Sequence, residues 1–222
     1  MKINPINKNE VAYHQLEKMI IFRELEPGCM VSEKQLAESL GLGRTPVREA
    51  LQRLSYERMA EIHPRRGIQI PPISVESQLK ILEIRRDIEA LCVRYATSRA
   101  SVEEKQQMLQ LARGLETCAQ NRDDLKYAEL LKEIHTLLVK AADNEYLKLA
   151  MAPLQGLSRR FWFAYKDEGQ DLIEASSLHA AVLRAVSHTD TEEAVAASHR
   201  LNDYLTDFAY RSIKPGSVAK FW

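Results

Sequence analysis

At 222 residues and zero formal net charge, 45% hydrophobic and 28% charged, the chain carries enough apolar residues for a core and enough charge for a wet surface. Its unbroken apolar stretches, such as Met19–Phe22 and Leu137–Val139, fall far short of the about 20 residues a spanning helix needs. The opening MKINPINKNE has no apolar core after its lysine, and Cys29, Cys92 and Cys118 are scattered without a CxxC pair. These features argue against a membrane span, a signal peptide, a disulfide framework and a thiolate metal site, and a cytoplasmic protein is expected.

Helical periodicity opens the chain: Val11, Ala12, Leu16, Met19, Ile20 and Phe22 recur on one face over 8–24, and Pro27-Gly28 stops the run. A second helix starts at Ser32, the predicted N-cap, with Gln35 three residues on to close a capping box and Val31 and Leu36 at hydrophobic-staple positions. Gly41 supplies a left-handed end. Only Leu42, Gly43 and Arg44 separate it from the next start, predicted with Thr45 as N-cap and Pro46 at the first helical position, before Val47, Ala50, Leu51 and Leu54 form a buried stripe. Two short helices joined this tightly predict a helix-turn-helix.

After Leu54 the period changes from helical to alternating. Residues 59–63 and 68–70 read as short strands around a Pro64-Arg65-Arg66-Gly67 turn, a hairpin wing. Pro71-Pro72-Ile73-Ser74 then breaks all periodicity. Beyond it six helices are predicted, over 75–99, 102–121, 124–142, 144–166, 170–188 and 191–213, with Pro153 a potential break in the fourth. The expected architecture is mainly α: a winged helix-turn-helix domain over 1–73, a linker over 74–77, and an all-helical bundle over 78–222. Cys92 and Cys118 fall in helical patterns and read as small core hydrophobes.

The run Leu36-Ala-Glu-Ser-Leu-Gly-Leu-Gly-Arg-Thr-Pro-Val-Arg-Glu-Ala-Leu-Gln-Arg-Leu54, followed by His63-Pro-Arg-Arg-Gly67, resembles the head of the GntR family of bacterial transcription regulators. Three further segments resemble the helical FCD effector domain of that family's FadR-type branch: Ile84-Arg-Arg-Asp-Ile-Glu89, the stretch from His135 to Asn144, and the stretch from Leu178 to Val186. The resemblance implies a regulator, here expected to repress, that reads a near-palindromic operator as a homodimer held by its C-terminal domain. It also implies a small organic-acid effector and no enzymatic activity.

The neutral sum of charges hides a local excess: between Arg44 and Arg66 six arginines face three glutamates. With Val47, Ala50, Leu51 and Leu54 turned to a core, Thr45, Arg48 and Gln52 lie on the opposite side of their helix, and Arg44 precedes it. Arg48 is placed for two-pronged guanine readout, and Arg44 for a phosphate. The resemblance implies the same roles, and adds Lys34 and the wing tip Arg65, Arg66 and Gly67 as backbone or minor-groove contacts. The competing reading, a solvated face balanced by Glu49, Glu57 and Glu61, suits Arg53 and Arg58 best. Arg58 departs from the family, which commonly has glycine there.

In the C-terminal part the resemblance places His135 and His179 in a shared cavity with Arg85, four residues before Glu89, as receptor for an anion. The bland alternative for Arg85 is a plain helix pair with Glu89. Related domains hold zinc or nickel through an aspartate and three histidines. Here Leu131 stands four residues before His135, Leu201 stands 22 after His179, and His199, two residues early, should point away. A cavity with no metal is therefore expected, zinc or nickel at His135 and His179 being the alternative. An enzyme, such as a helical metal-dependent hydrolase using His135, His179 and His199, is the main rival, yet none of the six histidines precedes an aspartate and no nucleophile–base motif occurs. An effector-free DNA-binding adaptor is the second rival.

Overall fold

The structure is a computed structural model and describes residues 7–167 and 170–213. The chain forms two compact units, one built from residues up to Ser74 with Gly156–Ala164, the other from Val75–Gln155 and Tyr165 onward.

The first unit contains α1 (Lys8–Ile21), β1 (Met30–Val31), α2 (Glu33–Leu40), α3 (Arg44–Tyr56), β2 (Glu61–His63) and β3 (Gly67–Gln69). Helix α1 stops at Ile21, earlier than its apolar spacing predicts, because Arg23 turns into the left-handed region at φ 61°. Ala12, Leu16 and Ile20 of α1 pack with Val47, Ala50, Leu51 and Leu54 of α3 in one core. Burying a leucine in this way is worth about 1.5–3 kcal/mol. Leu157 and Phe163, from the Gly156–Ala164 segment, lie against the same core.

Around Ser32 the capping box is complete: Gln35 N–H donates to Ser32 Oγ at 3.1 Å, and Ser32 N–H donates to Gln35 Oε1 at 3.0 Å. Gly41 ends α2 at φ 63°. The predicted cap of the next helix is corrected: α3 begins at Arg44 with Gly43 as N-cap and no side-chain cap bond, so Thr45 is already its second helical residue. Pro46 still falls in the first turn, where a missing N–H costs no helix bond. The sheet has order β1-β3-β2, all antiparallel, with Ile62 opposite Ile68 and His63 opposite Gly67. Strand β1, absent from the sequence reading, pairs Val31 with Ile68.

The second unit holds α4 (Val75–Arg99), α5 (Val102–Asn121), α6 (Asp124–Ala141), α7 (Glu145–Tyr165, whose Gly156–Ala164 stretch counts with the first unit), α8 (Gln170–Ser187) and α9 (Thr191–Arg211). Residues 75–77, expected in a linker, are the first turn of α4. Pro153 sits inside α7 without ending it. Ser101 with Glu104 forms a second capping box, while Asp123 and Asp190 accept from the amides of Lys126 and Glu193, each at 2.9 Å. Helix α4 packs on α9, α5 on α8 and α6, and α8 on α9. Leu82, Val93, Met108, Leu115, Tyr127, Ile134, Leu172 and Leu183 fill the interior. Cys92 is buried among them, and burial pushes its thiol up to about 12, so it stays a protonated apolar group. Among the described residues no helix is long and apolar enough to cross a membrane.

Candidate nucleic-acid interface and effector cavity

The turn between α2 and α3 is fixed by Gly41 and by Leu42 N–H donating to the Ala37 carbonyl at 3.1 Å, a helix end that satisfies an otherwise orphaned acceptor. Because Val47, Ala50, Leu51 and Leu54 fill the core, the remaining face of α3 is presented outward, and Arg44, Thr45, Arg48 and Gln52 are all exposed. The N–H groups of the first turn of α3 have no side-chain cap and stay available to an anion. Lys34 is exposed at the start of α2, with Glu38 3.8 Å away, too open a pair to hold it.

One feature of this face escaped the sequence reading. Arg48 forms a two-pronged pair with Glu33, Nε donating to Oε2 at 2.9 Å and Nη2 to Oε1 at 2.8 Å, while 60% of its side chain remains exposed. Glu33 sits in the first turn of α2, where the helix dipole favours a carboxylate. Arg53 is held differently: it lies 3.6 Å over the Tyr13 ring and pairs with Glu57 and Glu10 at 3.2 Å. It belongs to the scaffold.

At the wing, the chain turns through Arg65 at φ 65° and Gly67 at φ 112°, with Arg66 N–H donating to the His63 carbonyl at 3.0 Å. Arg65 and Arg66 are exposed at the tip, and among the described residues no ion pair is formed by Arg44, Arg65 or Arg66. A Cβ on Gly67 would stand 2.7 Å from the Val31 carbonyl oxygen, so only glycine lets β1 approach β3 here. Arg58 adopts φ 59°, the left-handed conformation that accounts for glycine being the common family residue at this position.

In the second unit a small enclosed cavity of about 10 Å³, room for about one water, is lined by Glu89, Ile134, His135, Leu138, His179, Val182, Ser198 and Leu201. His135 and His179 therefore share one cavity, their ring centroids 6.2 Å apart. Burial pushes His179 down to about 4, which leaves it neutral at ordinary pH. Arg85 does not line the cavity. It is 2% exposed and turned along its own helix, with Nη2 donating to Glu89 Oε1 at 3.1 Å. The charged group at the cavity wall is thus the carboxylate of Glu89. Leu131 is buried but is not on the wall, and His199 opens instead onto a surface groove with Arg94, Thr191, Glu192, Val195 and Ala196.

This donor set does not fit a divalent metal. Among the described residues no three histidine, cysteine, aspartate or glutamate side chains gather closely enough to hold one, and zinc or nickel needs three or four such ligands. Glu89 and Ser198 are the polar wall residues that the sequence reading did not assign to the cavity. Ser198 lies three residues before Leu201 on α9, a spacing that places both on one helix face.

A helix-turn-helix with an exposed arginine-bearing second helix, a basic wing and a helical unit enclosing a small cavity define the class of bacterial one-chain transcription regulators. Comparison with known proteins agrees: the FCD domain matches residues 80–203, and the family described as bacterial regulatory proteins, gntR family, matches residues 8–70. This chain belongs to the GntR family and carries an FCD domain. The HTH-type transcriptional regulator YdhC of Bacillus subtilis (strain 168) is 31% identical over 137 residues, 61% of each chain. The HTH-type transcriptional repressor RspR of Escherichia coli (strain K12) is 28% identical over 143 residues, 64% of this chain and 63% of that protein. These matches span less than two thirds of either relative's length. Among solved structures, E. coli McbR/YncC has the same fold, with a TM-score of 0.79 at 18% identity over 94% of this chain and all of that one.

Proposed function

We propose that this chain is a DNA-binding repressor that grips a near-palindromic operator as a homodimer in the cytoplasm, and that a small effector in the cavity of the helical unit changes its operator affinity. The observation that carries the reading is the outward face of α3, where Thr45, Arg48 and Gln52 stand clear of the core in the same unit as the arginine-tipped wing. In this reading Arg48 and Gln52 meet base edges, while Lys34, Arg44, Thr45, Arg65, Arg66 and Gly67 meet the backbone or minor groove. Arg66→Ala tests the division of labour: binding to every sequence should weaken and the salt slope should flatten by about one, since one phosphate contact is lost. An unchanged slope in fluorescence titrations at several salt concentrations counts against a wing contact.

Pairing of two copies is supported by α4, which leaves Ile84 54% and Leu91 36% exposed, with Ile88 and Tyr95 half-buried on the same stripe. An apolar stripe of this kind on a water-facing helix suits a second copy of itself, and a two-fold pair suits a palindrome. Sedimentation of the full chain should show a dimer, and the double variant Ile84→Arg, Leu91→Arg should show a monomer. A wild-type monomer at micromolar concentration contradicts the arrangement.

A further inference from the structure

Glu89 Oε2 and His179 Nε2 are acceptors on the cavity wall, and the Ser198 hydroxyl and the His135 imidazole beside them can either donate or accept. The Ala175 carbonyl can only accept, and His179 Nδ1 stands 2.8 Å from it, so Nδ1 carries the ring proton and Nε2 is left with a bare lone pair. Glu89 Oε2 is buried and has no hydrogen bond among the described residues: Arg85 Nε lies 3.0 Å away but is misaligned, and the aligned bond runs from Nη2 to Oε1. Ser198 Oγ, on a residue 1% exposed, likewise has no hydrogen-bond partner there. Buried polar atoms left in this state are uncommon in folded proteins, and each is normally met by a partner of opposite hydrogen-bonding character.

Charge narrows the partner further. Arg85 and Glu89 cancel, and His179 is neutral. An anion entering the cavity would face the Glu89 carboxylate, with Arg85 already paired to it, and a cation would add an unbalanced charge to a buried site. Ile134, Leu138, Val182 and Leu201 supply the apolar remainder of the wall.

We infer that the effector is a small uncharged molecule that donates hydrogen bonds, an alcohol or primary amide on a branched apolar body, and not the organic acid that the family resemblance implies. The inference rests on the reading of this cavity as the effector site. Its donor group bonds Glu89 Oε2 and His179 Nε2, Ser198 Oγ completes the contact, and the branched body lies against Val182 and Leu201. The cavity in its closed form holds no more than a water, so the ligand enters only as these side chains repack. That repacking gives the liganded and free states the difference in free energy a switch requires.

The test uses the full-length protein with methyl-labelled leucine and valine, titrated separately with isobutyramide, isobutyrate, isobutylammonium and zinc chloride. Isobutyramide should move the Val182 and Leu201 methyl resonances in a saturable way, the two charged analogues of nearly the same shape should not, and Ser198→Ala should weaken the amide about tenfold, the effect of one lost hydrogen bond. The inference is overturned if isobutyrate, the ammonium or zinc moves those resonances at lower concentration than the amide, or if no probe moves them. Operator titration at saturating amide separates the two readings. Methyl shifts with unchanged operator affinity support the ligand class and overturn the effector role.

Discussion

Arg48→Ala is expected to lower affinity for the specific operator by about 1–3 kcal/mol, the worth of one two-pronged base contact, with little effect on folding. The Arg48 side chain is 60% exposed, and the bonds shown for it run to Glu33, across the turn between α2 and α3. An exposed pair of this kind contributes little to stability. Loss of Arg48 also leaves the Glu33 carboxylate bare on the surface proposed to meet DNA, so a second variant is needed to separate lost readout from added repulsion. Glu33→Gln keeps the shape and removes the charge, and it should bind operator at least as well as wild type. Anisotropy titrations against operator and scrambled duplex distinguish the cases. If Arg48→Ala binds its operator as tightly as wild type, α3 presents a different residue to the bases.

Gly67→Ala should be the most damaging single methyl in the head. At φ 112° an L-residue is strained by about 1–3 kcal/mol wherever it occurs. Here the added carbon would also stand 2.7 Å from the Val31 carbonyl, a backbone atom that cannot rotate aside. The β1–β3 pairing must open to admit it, and the wing arginines lose their mounting. Gly114→Ala is the matched control. That glycine lies inside α5 without a left-handed φ, and its Cβ would meet Leu130 Cδ2 at an ordinary 3.4 Å. Alanine there should raise stability by about 0.5–1 kcal/mol through helix propensity. Thermal melts should therefore move in opposite directions for the same chemical change. A Gly67→Ala protein melting and binding like wild type would show that β1 does not constrain the wing.

Most of the fold was legible because its signals are local. Ser32, Gln35 and Gly41 announce both ends of α2 within ten residues of sequence, and the six long helices announce themselves by apolar spacing and by breaks near Ala100 and Asn144. What stayed hidden depends on partners distant in sequence or on competing caps. Strand β1 has two residues and exists only because Ile68 and Gln69 come to meet it. Thr45 looked like a cap, but Gly43 took that role two residues earlier, which the residue types alone do not decide. The Arg48–Glu33 pair joins two helices across 15 positions, with no periodic signature. In the cavity, the family pattern named His135 and His179, and both stand on its wall. The direction taken by Arg85, toward Glu89 rather than into the cavity, was present in the sequence only as a helix-spaced pair.

The Arg48–Glu33 pair also bears on how the protein would spend its time on a chromosome. Glu33 offers the guanidinium two acceptors side by side, the same arrangement that guanine offers in the major groove. On a random stretch of DNA, where only phosphates are available, Arg48 would have no reason to leave its own carboxylate, and on the proposed reading contact would rest on Arg44, Lys34 and the wing. Such encounters form quickly and end quickly. On the proposed reading, the guanine edge at the operator would replace Glu33 and the arginine would change partner, so discrimination between sites would be written mainly in how long the protein stays and much less in how fast it arrives.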